Sequence, residues 1–333
     1  MKQFYPAYYR QFRCIAGACP DSCCKEWDVD VDPDSAAFYR ALPGALGDRL
    51  RQVLRDTEDG TVMTIENGRC PMWRQDGLCQ IQAELHHDAL CAVCREFPRL
   101  RHDYGDFTEL GLELSCPEAA RLILTGGEQT LRCETLPGGE EPAYDPQVMA
   151  CLLQSRQEIL TFLGNPNYTV RQALTVLLLY AREVQAQIDG GAAAKLDPQR
   201  CLLQAKQLTQ SASMEPIFDF FKQLEILTPQ WRSRLNAGPV CGTWPDTIRA
   251  LAVYLVQRYW LQAVSDFDLV CRAKLTVIAC LLVNALGGDT VQTAQLFSKE
   301  IENDPDNVEA ILDGAYSAPA FTDQTLLTLL AES

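Results

Sequence analysis

The chain has little positive charge for its length. Its 333 residues contain 29 Lys and Arg against 44 Asp and Glu, which gives a formal net charge of −15 at pH 7. Nucleic-acid binding requires a basic face that neutralises phosphates, so this composition argues against a nucleic-acid partner. An acidic surface is compatible with a basic substrate, although most acidic surfaces only keep a protein in solution.

Segments that would carry the chain into or across a membrane are also missing. The longest apolar run, LTVIACLLVNAL at 275–286, is too short to span a bilayer and indicates a buried core helix. The first residues, MKQFYPAYYRQFRC, contain no apolar h-region and no small-residue cleavage site. We therefore expect a cytoplasmic protein without a membrane partner.

Two nucleotide-binding fingerprints are absent as well. No G-x-G-x-x-G follows a predicted strand, and no G-x-x-x-x-G-K-S/T is present. The composition, with 47% hydrophobic and 22% charged residues, is that of an ordinary globular protein. Its length leaves room for two domains or for one large one.

The apolar pattern divides the chain into a mixed N-terminal part and a helical remainder. Short strands are expected within 61–68 and 107–116, and a short helix begins at Pro117. Apolar residues at three- and four-residue spacing predict helices at 146–164, 169–188, 245–267, 267–287, 290–302, 306–316 and 322–331.

These elements predict a mainly α fold. We expect a small, irregular α+β cysteine-rich domain at 1–132, followed by an all-helical bundle domain at 147–333. The segment 133–146 is rich in Gly, Pro and acidic residues and is the predicted linker.

Cysteine, by contrast, is abundant and unevenly distributed. A reduced cytoplasm keeps thiols free, so a clustered set indicates metal binding or catalysis before disulfides. The six cysteines after residue 116 lie mostly among apolar neighbours and are expected to be small buried hydrophobes. Nine of the fifteen lie within residues 1–116: Cys14, Cys19, Cys23, Cys24, Cys70, Cys79, Cys91, Cys94 and Cys116.

The spacing of these cysteines favours a metal site without naming the metal. Thiolates are soft ligands that select zinc, copper(I) or iron–sulfur clusters. Cys91 and Cys94 form a C-x2-C pair, which lets two sulfurs hold one metal or cluster. A zinc ribbon has two such pairs, and the radical-enzyme pattern C-x3-C-x2-C fails because position 26 is Glu26. Nine cysteines exceed one four-cysteine site, so a second metal, accessory thiols and structural thiols all stay open.

Acidic side chains follow the first cysteine segment. The stretch WDVDVD places Asp28, Asp30 and Asp32 on one face of an extended chain, since side chains two apart in a strand share a face. A calcium loop would need a Gly and a distal Glu at fixed offsets, which are absent. Such a row is usually a solvated edge, and the alternative is a carboxylate that orients an incoming lysine.

Four segments of the N-terminal part together resemble the flagellin lysine-N-methylase family, often called FliB-like. They are YYRQFRCIAGACPDSCCKEWDVDVD, GRCPMWRQDGLCQIQAEL, LCAVCREFPR and LELSCPEAARLIL. The match runs in order through residues 4–125, and LFSKEIENDPDN at 296–307 weakly resembles the C-terminal region of the family. The cysteine part is also similar to cysteine-cluster proteins described as zinc- or iron-chelating.

The resemblance implies a methyltransferase that moves the methyl group of S-adenosylmethionine to lysine side chains of a protein, typically flagellin. It also implies a [4Fe–4S] cluster held by N-terminal cysteines. The best four ligands are Cys24, Cys70, Cys79 and Cys94. The further candidates are Cys19, Cys23, Cys91, Cys116 and Cys14.

Methyl transfer from a sulfonium is an in-line displacement. The enzyme must therefore align donor and amine and remove a proton from the lysine ammonium. A nearby acid could orient or deprotonate the amine, and an arginine could pair with the carboxylate of the donor, although surface salt bridging is the ordinary role of such arginines. The candidates are Asp28, Asp30 and Glu118 for the amine, and Arg95, Arg99 and Arg121 for the donor.

Two other functions are compatible with the same residues. One is a non-enzymatic protein in which Zn²⁺ stabilises the cysteine domain and the helices form a binding platform. The other is a metal carrier or redox sensor that uses exposed thiolates.

Overall fold

The computed structural model of the chain describes residues 1–127, 130–207 and 211–331. Within these ranges the strands lie before residue 136, and the remainder is helical. The predicted fold class is confirmed: a small α+β N-terminal part precedes an all-helical remainder. Among the helices formed by these residues, none combines the length and apolar character that a bilayer crossing requires.

The strands form two small sheets. The described strands are β1 (Lys2–Pro6), β2 (Val29–Val31), β3 (Leu54–Thr57), β4 (Gly60–Met63), β5 (Arg99–Asp103), β6 (Phe107–Leu112) and β7 (Leu131–Thr135). One sheet has the order β5–β6–β1–β7, with β1 parallel to β6 and antiparallel to β7, and the other has the order β2–β4–β3.

Short helices alternate with these strands, and longer ones follow them. The N-terminal helices are α1 (Pro33–Ala41), α2 (Gly44–Val53), α3 (Gln80–Leu85), α4 (Ala92–Glu96) and α5 (Pro117–Thr125). The later helices are α6 (Pro146–Leu163), α7 (Val170–Ile188), α8 (Pro198–Lys206), α9 (Glu215–Phe221), α10 (Pro229–Ala237), α11 (Asp246–Tyr259), α12 (Val270–Leu286), α13 (Thr290–Phe297), α14 (Pro305–Ser317) and α15 (Asp323–Leu330).

Local sequence explains where several helices begin. Asp145, Thr228 and Asp304 each accept a hydrogen bond from backbone N–H groups of the first turn, and a proline follows each of them. This combination satisfies otherwise unpaired N–H groups and presets the helical φ angle. α12 is apolar almost all round, and it is buried against α7, α11, α13 and α14.

Buried apolar side chains form two separate cores. The smaller core lies within residues 29–91 and includes Tyr39, Leu50 and Met63. The larger core takes residues such as Phe107 from the four-stranded sheet together with α5 and the later helices. The sheet around β1 thus packs on the helices, and residues 133–135 of the predicted linker belong to β7.

A buried ion pair joins the four-stranded sheet to the helices. Arg156 of α6 donates two hydrogen bonds to the carboxylate of Glu109 in β6, at 2.8 and 2.5 Å. The two side chains are only 6% and 10% exposed. The pair therefore fixes α6 on the face of the sheet that β6 presents to it.

Candidate metal centre

Five thiols border the smaller core, and we call them the inner thiol group. The backbone N–H of Cys70 donates to the carbonyl of Cys24 at 2.8 Å, which places these two cysteines side by side. An isolated antiparallel bridge pairs Trp73 with Cys79. Burial raises the pKa of Cys70, and the nearby thiols of Cys24 and Cys79 raise it further. The inner thiol group consists of Cys24, Cys70, Cys79, Cys91 and Cys94.

Asp32 positions the last two members of this group. Cys91 directly precedes α4, and Cys94 lies within that helix. The Asp32 carboxylate accepts hydrogen bonds from the backbone N–H of Ala92 at 2.7 Å and of Ser35 at 3.0 Å. These two bonds lower the pKa of Asp32 to about 2. Asp32 therefore ties α4 to α1, and it does not act as a freely solvated member of an acidic row.

The remaining four thiols form an outer thiol group: Cys14, Cys19, Cys23 and Cys116. The pKa of Cys23 is raised by its hydrogen bond with Cys24, then by burial, and further by the charges of Cys14 and Cys116. Burial, and to a smaller extent the charges of Cys19 and Cys14, raise the pKa of Cys116 to about 11. The adjacent pair Cys23 and Cys24 thus contributes one sulfur to each group.

Two pairs of thiols are each joined by a hydrogen bond between their sulfurs. The hydrogen bond from Cys94 lowers the pKa of Cys91 to about 7, and the same bond raises the pKa of Cys94. Cys24 is affected in the same way by Cys23, and its pKa also falls to about 7. The thiolate is the form that binds metals and attacks electrophiles, so each pair presents one ionisable sulfur near neutral pH.

The inner thiol group offers the soft sulfur ligands of a metal site, but its sulfurs lie too far apart to hold one metal ion. All fifteen cysteines are free thiols. Across residues 1–127, 130–207 and 211–331, no three or more Cys, His, Asp or Glu side chains come together closely enough to hold a metal ion. A metal would therefore still have to draw these sulfurs together. Five thiols around one apolar core are still suited to a metal or cluster, because thiolates are soft ligands.

The acids predicted for the amine have different surroundings. Asp28 accepts a hydrogen bond from the backbone N–H of Ile65 at 2.8 Å. Asp30 lies on the outward face of β2 and lines a cavity of about 470 Å³ that also reaches Asp59 and Val93. Glu118 accepts two hydrogen bonds from one arginine, at 2.8 and 2.6 Å. The structure thus places Asp30 at a cavity and Glu118 in an ion pair.

The three arginines predicted to bind the carboxylate of the methyl donor each have a different contact partner. Arg121 is the partner of Glu118. Arg95 donates to the carbonyl of Leu90 at 3.2 Å, and the guanidinium of Arg99 lies 5.4 Å from the centre of the Phe12 ring. Their assignment to the donor stays a prediction.

A second set of titratable side chains lies between the four-stranded sheet and α11. Arg258 donates to the Tyr254 hydroxyl at 2.7 Å and lies 3.4 Å from the carboxylate of Glu302, to which Tyr259 also donates at 2.9 Å. His102 of β5 faces this set, and its buried Nε2 has no hydrogen-bond partner among the residues that the structure describes. Burial, and then the charge of Arg258, lower the pKa of His102.

Sequence patterns had not indicated two residues that contact the cysteine segment from the helical part. Lys299 pairs with Asp21, and Gln295 donates to Asp21 and to the carbonyl of Ser115. The available signal was the stretch LFSKEIE, in which charged residues occupy helical positions that should be apolar in a buried helix.

Comparison with known proteins agrees with the resemblance seen in the cysteine segments. The chain is 31% identical over 132 residues to the flagellar biosynthetic protein FliU of Salmonella muenchen, and the match covers 36% of this chain and 75% of that protein. It is 27% identical over 213 residues to the lysine-N-methylase of Salmonella typhimurium. The chain belongs to the FliB-like lysine-N-methylase family. Within this family, the lysine-N-methylase of Salmonella choleraesuis is also 27% identical, over 207 residues.

The extent of these matches differs between the relatives. Each of the two lysine-N-methylase matches covers 58% of this chain and 50% of the relative, so the chain spans about half the length of those two proteins. No family model and no solved structure matches the chain.

Proposed function

We propose that the chain is an S-adenosylmethionine-dependent protein lysine N-methyltransferase that acts in the cytoplasm on a flagellin-like acceptor. The proposal is based on sequence similarity to two proteins named lysine-N-methylase and to one named flagellar biosynthetic protein. The acidic composition supports it, because a negatively charged enzyme attracts a lysine-bearing substrate.

The inner thiol group is proposed to hold a [4Fe–4S] cluster. Its ligands would be Cys24, Cys70, Cys79 and Cys94, with Cys91 as the fifth available thiol. When bound, the cluster supplies a redox-active, thiolate-ligated iron centre. Of these four thiols, Cys24 has a lowered pKa, which favours the thiolate that ligation requires. Burial raises the pKa of Cys70 and Cys79, and the hydrogen bond with Cys91 raises that of Cys94, so a bound metal would have to displace their protons. Zinc is the alternative occupant of the same thiols.

The acceptor lysine is proposed to enter the cavity beside Asp30. Carboxylates of Asp30 and Asp59 at this cavity attract an ammonium group, and Val93 offers apolar surface for lysine methylenes. Arg40 also lines the cavity, and its guanidinium is paired with Asp56. Val93 lies between Cys91 and Cys94, so the cavity adjoins the inner thiol group. Because an ammonium is not nucleophilic, Asp30 would orient the amine and take its proton before the methyl group is transferred.

The test is methyl transfer itself. Anaerobically purified protein is incubated with flagellin and isotopically labelled S-adenosylmethionine, and N-methyllysine is then located by mass spectrometry. We expect labelled lysines in flagellin, and we expect Asp30→Asn to lower kcat/KM on the order of 100-fold. Asp34→Asn, an exposed change in the first turn of α1, is the matched control.

Either of two results would contradict the proposal. Metal-replete protein that labels no lysine of flagellin would refute the activity on this acceptor. Stoichiometric zinc together with absent methyl transfer would favour the non-enzymatic zinc protein instead.

A further inference from the structure

One buried lysine fastens the cysteine segment to the helical part of the chain. Nζ of Lys299 lies 3.1 Å from both carboxylate oxygens of Asp21 and forms an ion pair with Glu26. It also lies 5.2 Å from the centre of the Trp27 ring. The Lys299 side chain is only 2% exposed. All three partners belong to the segment that carries Cys19, Cys23 and Cys24.

The backbone around Lys299 leaves the α-helical register. α13 ends at Phe297, and Ser298–Glu302 form a π-helical turn whose residues are all buried. A π-helical turn is rare and recurs at functional sites, because the extra residue redirects the side chains that follow. Here its charged residues point to different partners: Lys299 reaches the cysteine segment, Glu300 accepts from Thr228 and Glu302 pairs with Arg258.

A second contact from the same part of the chain connects the two regions that form the outer thiol group. Gln295 donates to Asp21 at 2.9 Å and to the carbonyl of Ser115 at 2.8 Å. Asp21 lies between Cys19 and Cys23, and Ser115 directly precedes Cys116. Gln295 and Lys299 together therefore fix the spacing between the first cysteine segment and Cys116.

The cysteine segment itself is held in an unusual conformation. Glu26 has a φ of +77°, in the left-handed region that residues other than glycine rarely adopt. Such a conformation persists only where surrounding contacts impose it. Lys25 also pairs with Asp21, at 2.6 Å, but it belongs to the same segment and cannot tie that segment to the helices.

We infer that Lys299 is the positioning residue of the thiol site. Its ammonium group holds residues 19–27 in the conformation that places Cys23 and Cys24 beside the thiols of the other segments. The inference deepens the proposed metal centre and rests on it for its role in catalysis, whereas the contacts that define it need no metal.

The test compares two buried lysines in the full-length protein. Lys299→Met removes the contact with the cysteine segment. Lys274→Met is the matched control, because Lys274 is also buried, at 5% exposure, and has a carboxylate partner in Asp323 at 3.2 Å. Its aromatic neighbour, Tyr316, has its ring centre 5.7 Å away, and both partners lie in the helical part.

Two readouts are measured for each variant. The first is the rate at which protein reconstituted with iron and sulfide releases iron to bathophenanthroline. The second is the rate at which N-ethylmaleimide labels Cys19 and Cys23 in metal-free protein, mapped by mass spectrometry. We expect Lys299→Met to release iron roughly 10-fold faster, as for loss of other residues that support metal ligands. We expect it to label both cysteines faster, while Lys274→Met matches the wild type.

Equal rates in the two lysine variants, or wild-type rates in Lys299→Met, would overturn the inference. If Lys299→Met does not fold, Asp21→Asn removes one of the two carboxylate partners of Lys299 on the cysteine segment and must show the same two accelerations. If wild-type protein takes up no iron, the proposed metal centre fails, and the maleimide comparison alone then decides whether Lys299 positions the segment.

Discussion

Replacing Cys79 by serine separates a metal ligand from a packing atom. Cys79 occupies the position directly before α3, where its half-buried sulfur lies near the first backbone N–H groups of the helix. Burial raises the pKa of this thiol, and the N–H groups of Gln82 and Ile81 act in the opposite direction. Serine is among the preferred residues at such a helix start, because its hydroxyl accepts hydrogen bonds from these groups.

The expected change in the free energy of unfolding is different when a cysteine in the apolar core is replaced by serine. Cys280 is fully buried in α12, and its sulfur donates a long hydrogen bond to the carbonyl of Ile248 at 3.8 Å. A serine hydroxyl there is poorly satisfied, so Cys280→Ser should lower the free energy of unfolding by about 1–2 kcal/mol. In metal-free protein, Cys79→Ser should change the free energy of unfolding by less than about 1 kcal/mol.

A bound metal should reverse the order of the two effects, so that Cys79→Ser becomes the more destabilising change. A bound metal stabilises the fold through all its ligands, so metal-loaded protein should lose its metal and the associated stability in Cys79→Ser and retain both in Cys280→Ser. The assay is urea unfolding of both variants with and without reconstitution, together with iron and zinc content. Wild-type metal content in Cys79→Ser would refute the reasoning, because the sulfur of Cys79 would then be a packing atom only.

Three further predictions test the fold around the site. Arg156→Met should lower the free energy of unfolding by about 3–5 kcal/mol, because it leaves the Glu109 carboxylate buried without its partner. The double variant Arg156→Met with Glu109→Leu should recover most of this loss. A loss below about 1 kcal/mol in the single variant would contradict the prediction. The lowered pKa of His102 means that below pH 6.5 the unfolded chain binds a proton that the folded chain does not, so wild-type stability falls on acidification. In urea unfolding at several pH values, His102→Gln should show a shallower fall, whereas a change of the exposed His87 to Gln should not; equal slopes in all three proteins would count against the burial of His102. Limited proteolysis should cut first within 133–146, most of which is exposed, and a first cut inside α7 or α12 would show that the predicted linker is misplaced.

The long helices were predictable because their periodicity is local. The predicted helices at 146–164 and 169–188 correspond to α6 and α7 within one residue at each end. The predicted helix at 245–267 is α11, which ends at Tyr259 and continues as a 3-10 turn, Trp260–Val264. The spacing of apolar residues in these sequences indicates which face of each helix is buried, and in α12 it indicates that the whole surface is buried.

Short elements of the N-terminal part were not predictable in the same way. The alternation of aspartates at 28–32 correctly places Asp30 on the outward face of β2. The same pattern does not distinguish Asp32, which caps α1 and accepts from Ala92 sixty positions later. The role of Asp32 depends on a tertiary contact, and alternation within a strand carries no information about such a contact.

The candidate site shows the same limit. Cysteine spacing and family resemblance name the candidate cysteines, and their role as metal ligands stays a prediction. Lys299 contacts Asp21 across 278 positions of sequence, and no local pattern predicts that contact. Only its charge inside a buried helical stretch was visible in advance.

The most direct test of the central claim is the metal content of anaerobically purified wild-type protein, with iron, sulfide and zinc quantified in one sample. A thiolate-ligated [4Fe–4S] cluster on the inner thiol group predicts a brown protein with about four iron and four sulfide per chain. Stoichiometric zinc without iron or sulfide would contradict the cluster and would identify the thiols as a zinc site.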